Sequence, residues 1–211
     1  MTRLEIKTEK LGCRSNPRLT NEELISGILS GSLLASKQFH LRYGAAISRL
    51  VWQLLGWDDE HEDVVQQVLV GIFTNVRTIR KPEALDSWVR SVTLRIVRDE
   101  LRKRRKRRSL FSKSEIVNDD VSPDPRSPWR HSHIRSFYRN LERLSPDDQI
   151  VFVLKFLEEL SNDEIADLKH CSVSTVKRRI DRAKSRFLKK AMRDYALLSL
   201  VEGGLTARPD C

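Results

Sequence analysis

Cysteine, glycine, proline and long apolar runs are all scarce in this 211-residue chain, and each scarcity excludes something. The three cysteines, Cys13, Cys171 and Cys211, are odd in number, widely spaced and without a CxxC pair. They provide neither a disulfide framework nor a zinc ribbon and fit a reducing cytosol. Eight glycines and seven prolines are too few for a β-sandwich or for a fully disordered chain. No stretch approaches the ~18 consecutive apolar residues of a membrane span. The first residues, MTRLEIKTEKLGCRSN, contain no apolar core of a secretory signal. The expectation is a cytoplasmic protein without membrane insertion. Five histidines (His40, His61, His131, His133, His170) form no HExxH, and neither a Gly-rich phosphate loop nor a GxSxG is present. Enzyme chemistry, a metal site and a cofactor are therefore not expected.

What is abundant is charge. Lys plus Arg number 39 against 29 Asp plus Glu, for a net charge of +10. That excess points to a polyanionic partner, nucleic acid or an anionic membrane surface. The charge is also unevenly placed. Residues 58–63 read DDEHED, and Arg102 to Arg108 are seven consecutive basic residues. An unbroken basic run repels itself unless a polyanion or solvent screens it.

Apolar periodicity divides the chain. Residues 1–20 carry none and are expected to be a flexible N-terminal extension. From Leu24 to Gly56 apolar residues recur at helical spacing: Leu24, Ile28, Leu41, Ala45, Ile47, Leu50, Val51, Leu54, Leu55. The acids at 58–63 precede a second stripe of Val65, Val68, Leu69 and Ile72, and they suit the positive end of a helix dipole. Arg77 to Lys81 form a basic loop closed by Pro82. The next helix has Leu85, Trp88 or Val89, Val92 and Ile96 on its inner face and runs into the basic stretch. Residues 109–134 hold Asp119, Asp120, Asp124, Pro123, Pro125 and Pro128 without apolar period, and read as a linker.

Residues 135–190 are punctuated by three caps. Ser145-Pro146-Asp147-Asp148 places a cap, a first-turn proline and an acid at the third position. Ser161-Asn162-Asp163-Glu164 is a capping box, and Ser172 opens the last helix. Three helices with a short gap between the last two have the shape of a helix-turn-helix. At about 100° per residue, Val173, Val176, Ile180, Ala183 and Phe187 fall within an arc of about 80°. The opposite face holds Ser174, Thr175, Arg178 and Arg182. A recognition helix presents its N-terminal residues to base edges, where arginine reads guanine bidentately. From 169 to 190 there are nine basic residues and one acid, whereas 142–167 hold eight acids and two basic residues. A solvated helix with a basic C-terminal end is the plainer reading.

With these residues in place the sequence resembles an extracytoplasmic-function type sigma factor of the sigma-70 family. LSPDDQIVFVLKFLEELSNDEIADLKHCSVSTVKRRIDRAKSRF is similar to that family's region 4; EDVVQQVLVGIF and SWVRSVTLRIVRDELRKRRKRR resemble its region 2. The resemblance implies an all-α fold: two small helical domains joined by a flexible linker, the C-terminal one a helix-turn-helix. Region 2 would span 21–108, the linker 109–134, region 4 135–190 and a C-terminal extension 191–211.

The resemblance also implies roles. Asp63, Gln66 and Gln67 match the positions that dock on bacterial core RNA polymerase. Arg77, Arg80, Lys81, Trp88, Arg90, Ser91, Arg95 and Arg98 lie where the family holds the single-stranded −10 element, with a base flipped from its stack. Trp88 stands four residues before Val92, which suits a core anchor better than a stacking platform. Ser172, Ser174, Thr175, Lys177, Arg178 and Arg182 match the reader of the −35 duplex, with Ser172 chiefly a cap and Lys177 a backbone contact. The family's linker threads through polymerase, and its acids would suit a basic channel. Promoter DNA, core polymerase and an anti-sigma factor are the implied partners.

The sequence departs from the family at several points. Leu85 replaces a common Phe, and Thr93-Leu94-Arg95 a common Ala-Arg-Asn, which bears on −10 preference. His170 replaces a turn glycine at a position that often needs φ > 0. Cys171 falls where a small apolar residue packs. Two other classes compete: a stand-alone helix-turn-helix regulator with an N-terminal sensor or dimerisation domain, and a membrane-surface protein binding through 102–108. The second is poorly supported because that run lacks aromatics.

Overall fold

The computed structural model describes residues 19–56, 60–111 and 128–194. Every regular element among them is helical: α1 (Asn21–Leu29), α2 (Leu33–Leu55), α3 (His61–Asn75), α4 (Leu85–Phe111), α5 (Pro128–Leu141), α6 (Pro146–Phe156), α7 (Asn162–Lys169) and α8 (Val173–Ala191). Short 3-10 turns at Val76–Thr78 and Pro82–Ala84 connect α3 to α4. Helices thus enter the stretch 109–134 from both ends. Asp58, Asp59, the linker acids Asp119, Asp120 and Asp124, and the two chain extensions outside 19–194 lie outside the described residues.

The apolar stretch Leu24–Gly56 forms two helices. Thr20 caps α1 in a capping box with Glu23, and Ser32 caps α2. Between them Gly31 takes φ +74°, a conformation in which a Cβ would be strained. The consequence is a change of buried face. Phe39, Tyr43, Ile47, Leu50, Val51 and Leu54 enter the core, whereas Leu41 is 73% exposed. On α3 the buried line is Val64, Val68 and Ile72, which keeps Val68 and Ile72 of the sequence stripe; Val65, Leu69 and Phe73 flank it, partly buried. Removing a fully buried Phe39 side chain would cost about 3–5 kcal/mol.

Helix α4 is the spine, 27 residues and so roughly 40 Å long. Leu85, Val89, Val92, Val97 and Leu101 pack it into the first core. Its start is fixed by polar contacts: the Tyr43 hydroxyl donates to Asp86 at 2.5 Å, and Arg42 pairs with the same carboxylate at 3.4 Å. Burial, then the bond to Asp86, pushes the Tyr43 phenol above its ordinary range.

The second helical group forms where the caps predict. Ser145, Ser161 and Ser172 each accept from the backbone N–H three residues on, and Pro146 opens α6. Glu164 completes the capping box on α7. Phe137, Phe152 and Phe187 form an aromatic cluster, with ring centroids 4.8 Å apart for Phe152–Phe187 and 5.3 Å for Phe137–Phe187. Helix α6 buries Ile150, Val151, Phe152, Val153 and Leu154 in succession. A helix apolar all round needs cover on every side. Here α8 packs on one side and α2 with α4 on the other, so the buried side chains of both groups form one continuous cluster.

Candidate nucleic-acid interface

Helix α7, a turn at 170–172 and α8 form the helix-turn-helix. His170 ends α7 at φ 48°, left-handed as the turn requires, and its N–H caps α7 carbonyls. Ser172 Oγ accepts from Thr175 N at 3.2 Å and lies 3.0 Å from Ser174 Oγ and 2.9 Å from Thr175 Oγ1. Val176, Ile180, Ala183 and Phe187 are buried beneath. Ser174, Lys177 and Arg178 project outward and Thr175 is half-buried. Lys177 and Arg178 make no ion pair among the described residues. This end of α8 therefore presents two hydroxyls and two cations beside each other.

Arg182 behaves differently. Its Nε and Nη2 donate to Asp148 at 3.0 and 2.5 Å, and that carboxylate is fully buried. The bonds to Asp148 hold Arg182 still more firmly protonated. Arg186 lies 3.5 Å from Asp148 Oδ2, the oxygen that also accepts from Arg182 Nε. Asp148 was legible in the sequence only as a third-position acid; its arginine partner stands 34 residues away.

On the first group, Arg77, Arg80 and Lys81 are exposed around the 3-10 turns. Trp88, Ser91, Arg95 and Arg98 line a cavity of about 300 Å³, together with Asn75, Thr78 and Leu94, which the sequence did not single out as a set. The opposite wall is Leu168, Lys169 and His170, from the helix-turn-helix. Trp88 is half-buried, packed on the core edge and facing the cavity. Leu94 is only 3% exposed, and Thr93 is buried with its hydroxyl donating to Val89 O at 2.8 Å. Arg90 is half-buried and acts electrostatically on Glu164.

The docking residues share a third surface. Asp63, Gln66 and Gln67 are exposed on α3, and Val70, 63% exposed, continues their line. Val70 was hidden in the sequence because it sits within an apolar run. Asp63 and Gln67 border a groove whose other wall carries Lys103, Lys106 and Arg107 of α4.

The basic run differs most from its sequence reading. Arg104 and Arg107 pair with Glu60 and Glu100, and Lys103 with Glu100. Arg102 lies 3.8 Å from Asp147, Arg105 donates to Leu144 O at 3.3 Å, and Arg108 pairs with Glu142. Asp147 also bonds Lys169 at 2.8 Å and lies 3.7 Å from Arg179. Burial alone would raise its carboxyl, but Lys169, then Arg179 and Arg98, outweigh that and hold it below its ordinary range. Among the described residues there is no cluster of metal-ligating side chains, and no helix is long and apolar enough to cross a membrane.

Comparison with known proteins agrees with this geometry. Residues 39–107 match the Sigma-70 region 2 family and residues 134–187 the Sigma-70 region 4 family, together more than half of the chain and in that order. The RNA polymerase sigma factor SigV of Bacillus subtilis is 29% identical over 64% of this chain and 78% of its own length. SigW of the same organism, an extracytoplasmic-function sigma factor, is 26% identical over 72% of this chain and 86% of its own. Among solved structures, CnrH in complex with the cytosolic domain of CnrY is similar with a TM-score of 0.55 at 22% identity, covering 81% of this chain and 96% of that one. The sigma factor RpoE of Bartonella quintana, in complex with the anti-sigma factor NepR, is similar with a TM-score of 0.55 at 22% identity, covering 75% of this chain and 97% of that one.

Proposed function

The chain belongs to the sigma-70 family, as an RNA polymerase sigma factor of the extracytoplasmic-function type, and on that premise we propose a division of labour among its surfaces. Asp63, Gln66, Gln67 and the exposed Val70 dock on core polymerase, since a polar line ending in an apolar side chain suits a helical partner. Ser174, Thr175 and Arg178 read the −35 duplex, with Ser172 and Lys177 contacting its backbone. Arg182 steadies α8 through Asp148 and offers its remaining exposed edge to a phosphate. Arg77, Arg80, Lys81, Arg90, Arg95 and Arg98 attract the −10 strand, and Trp88 with Ser91 borders the pocket for its displaced base.

The chain acts without catalytic residues of its own, as a dissociable specificity subunit in the cytoplasm. Its domains divide near 21–108 and 135–190. Binding energy for the opened strand drives melting, because the open state is bound more tightly than the closed duplex. An anti-sigma factor is a partner of the kind seen in complex with RpoE of Bartonella quintana. A stand-alone regulator is not favoured, because region 2 is matched as well as region 4.

The observation that carries this reading is the end of α8 that exposes Ser174 and Arg178 beside a half-buried Thr175, set on a helix-turn-helix behind a matched region 2. Reconstitution with bacterial core polymerase tests it. Start-site-specific transcripts support it, and absence of core binding in a pull-down sinks it.

A further inference from the structure

We propose that Asn75 and Thr78, two residues outside the −10 set, select the displaced base: the cavity takes a base that carries an exocyclic amine and rejects thymine. That a base enters the cavity rests on the sigma reading above. Which base it is rests on the chemistry of these two side chains.

Asn75 is the last residue of α3 and Thr78 the last of the 3-10 turn that follows. Both line the cavity. A carboxamide is ordinarily ambiguous, because its oxygen accepts and its nitrogen donates. Here the ambiguity is removed. Asn75 Nδ2 donates to Gly71 O at 2.7 Å. A carbonyl can only accept, so the nitrogen must be the atom turned toward it. What Asn75 has left to offer is Oδ1, an acceptor without a partner among the described residues. Thr78 is arranged in the same sense. Its hydroxyl donates to Asn75 O at 2.8 Å, which commits its one proton and leaves lone pairs. Both side chains therefore meet a base as acceptors.

The α4 side of the cavity has the opposite polarity. Arg95 is exposed there and makes no ion pair among the described residues. Arg98, whose Nε is buried without a hydrogen-bond partner, lines the same side. A guanidinium carries donors and no acceptor. Ser91 can donate or accept and biases neither choice. The Trp88 ring and Val92 add apolar surface on which a planar base stacks. All of these side chains belong to the first helical group.

A base lifted from its stack is read on its Watson–Crick edge. To fit here it must turn N–H groups toward Asn75 and Thr78 and acceptors toward the arginines. Cytosine, adenine and guanine each carry an amine that can do the first and ring nitrogens or a carbonyl that can do the second. Thymine has no amine. Its one edge N–H stands between two carbonyls, so turning it to Asn75 sets a thymine oxygen against a second acceptor. Leaving polar groups unpaired in this way is how a hydrogen-bonding site rejects a near-isostere.

A selection with the full chain tests this. The chain and bacterial core polymerase are mixed with a pool of DNA single strands carrying a randomised stretch, and the bound strands are sequenced. With the native chain, thymine should be depleted at one position of the enriched motif. Asn75→Ala should restore thymine at that position and leave the others unchanged. Thr78→Val, which keeps the shape and removes the acceptor, should restore it in part. On the selected strand, the preferred base is then exchanged for a counterpart without the amine: uracil for cytosine, hypoxanthine for adenine or guanine. The exchange should weaken binding to the native complex about tenfold and leave binding to the Asn75→Ala complex nearly unchanged. Thymine as the preferred base at the position that Asn75→Ala alters overturns the proposal. So does an Asn75→Ala chain of unchanged helicity with an unchanged motif; if that variant unfolds, Thr78→Val decides by the same reading. A native chain that captures core polymerase and enriches a motif upholds the sigma reading whatever Asn75→Ala does. One that captures no core polymerase sinks that reading and this inference with it.

Discussion

Helices α4 and α8 are both strongly basic, yet they spend their charge differently. Along 102–108, Arg104 and Arg107 meet Glu60 and Glu100, while Arg102 and Arg108 meet Asp147 and Glu142. On α8, Lys177 and Arg178 stand exposed with no ion pair among the described residues, whereas Arg182, with Arg186 beside it, is tied to the buried Asp148. A basic stretch is therefore not by itself a nucleic-acid grip. What decides is whether the fold already supplies the counter-charge.

The sharpest way to break this contrast is to exchange roles within α8. Arg182→Ala leaves the Asp148 carboxylate buried with only Arg186 nearby, and should destabilise the protein by about 3 kcal/mol, read by denaturant unfolding. A stability change under about 0.5 kcal/mol would show that Arg182 is a surface residue after all. Arg178→Ala should do the reverse. It should leave unfolding unchanged and weaken binding to a specific promoter by about 1–3 kcal/mol, with little effect on random duplex. Equal losses on both DNAs would make Arg178 a phosphate contact.

On α4, Arg108→Ala breaks only a partly exposed pair with Glu142. It should cost less than about 1 kcal/mol of stability, and a larger cost would mean the pair is more deeply buried than its exposure suggests. The smallest effect is acid. Asp147 has its carboxyl held below the ordinary 3.8. Its ionised form therefore adds stability that is present above that value and lost as pH falls through the lower folded one. Tryptophan fluorescence unfolding below pH ~3.8 should be steeper in the native chain than in Asp147→Asn, and identical slopes would refute the role given to that carboxylate.

How far the sequence carried can be read from these same residues. Caps are local chemistry, so Ser145-Pro146, Ser161 with Glu164, Ser172 and the left-handed His170 were all legible, and they fix α6, α7 and the turn of the helix-turn-helix. The all-α class and the buried arc of α8 followed from periodicity. The break at Ser30–Ser32 was not located, since the apolar pattern names nothing between Ile28 and Leu41, and Leu41, counted with that pattern, is exposed. The partners of Arg104, Arg107 and Arg108 lie 34 to 47 residues away for Glu60 and Glu142, and Gln149 meets Leu54 across 95 residues. No spacing rule reports such pairs. One signal was available: the unbroken apolar run of α6, with Val151 and Phe152 off the stripe, asked for cover on a second side.

The bond from Gln149 to Leu54 has an asymmetry with a consequence of its own. Its donor is a side chain and its acceptor is main chain. Substitution can delete the donor in one step, but no replacement of Leu54 removes a peptide oxygen. That bond can thus be deleted by a point change in the C-terminal half alone, unlike the Arg102–Asp147 and Arg108–Glu142 pairs, which a change on either side removes. In an exchange of halves between relatives, the incoming C-terminal half would bring or lack the donor of that bond, and an incoming N-terminal half would still offer its acceptor.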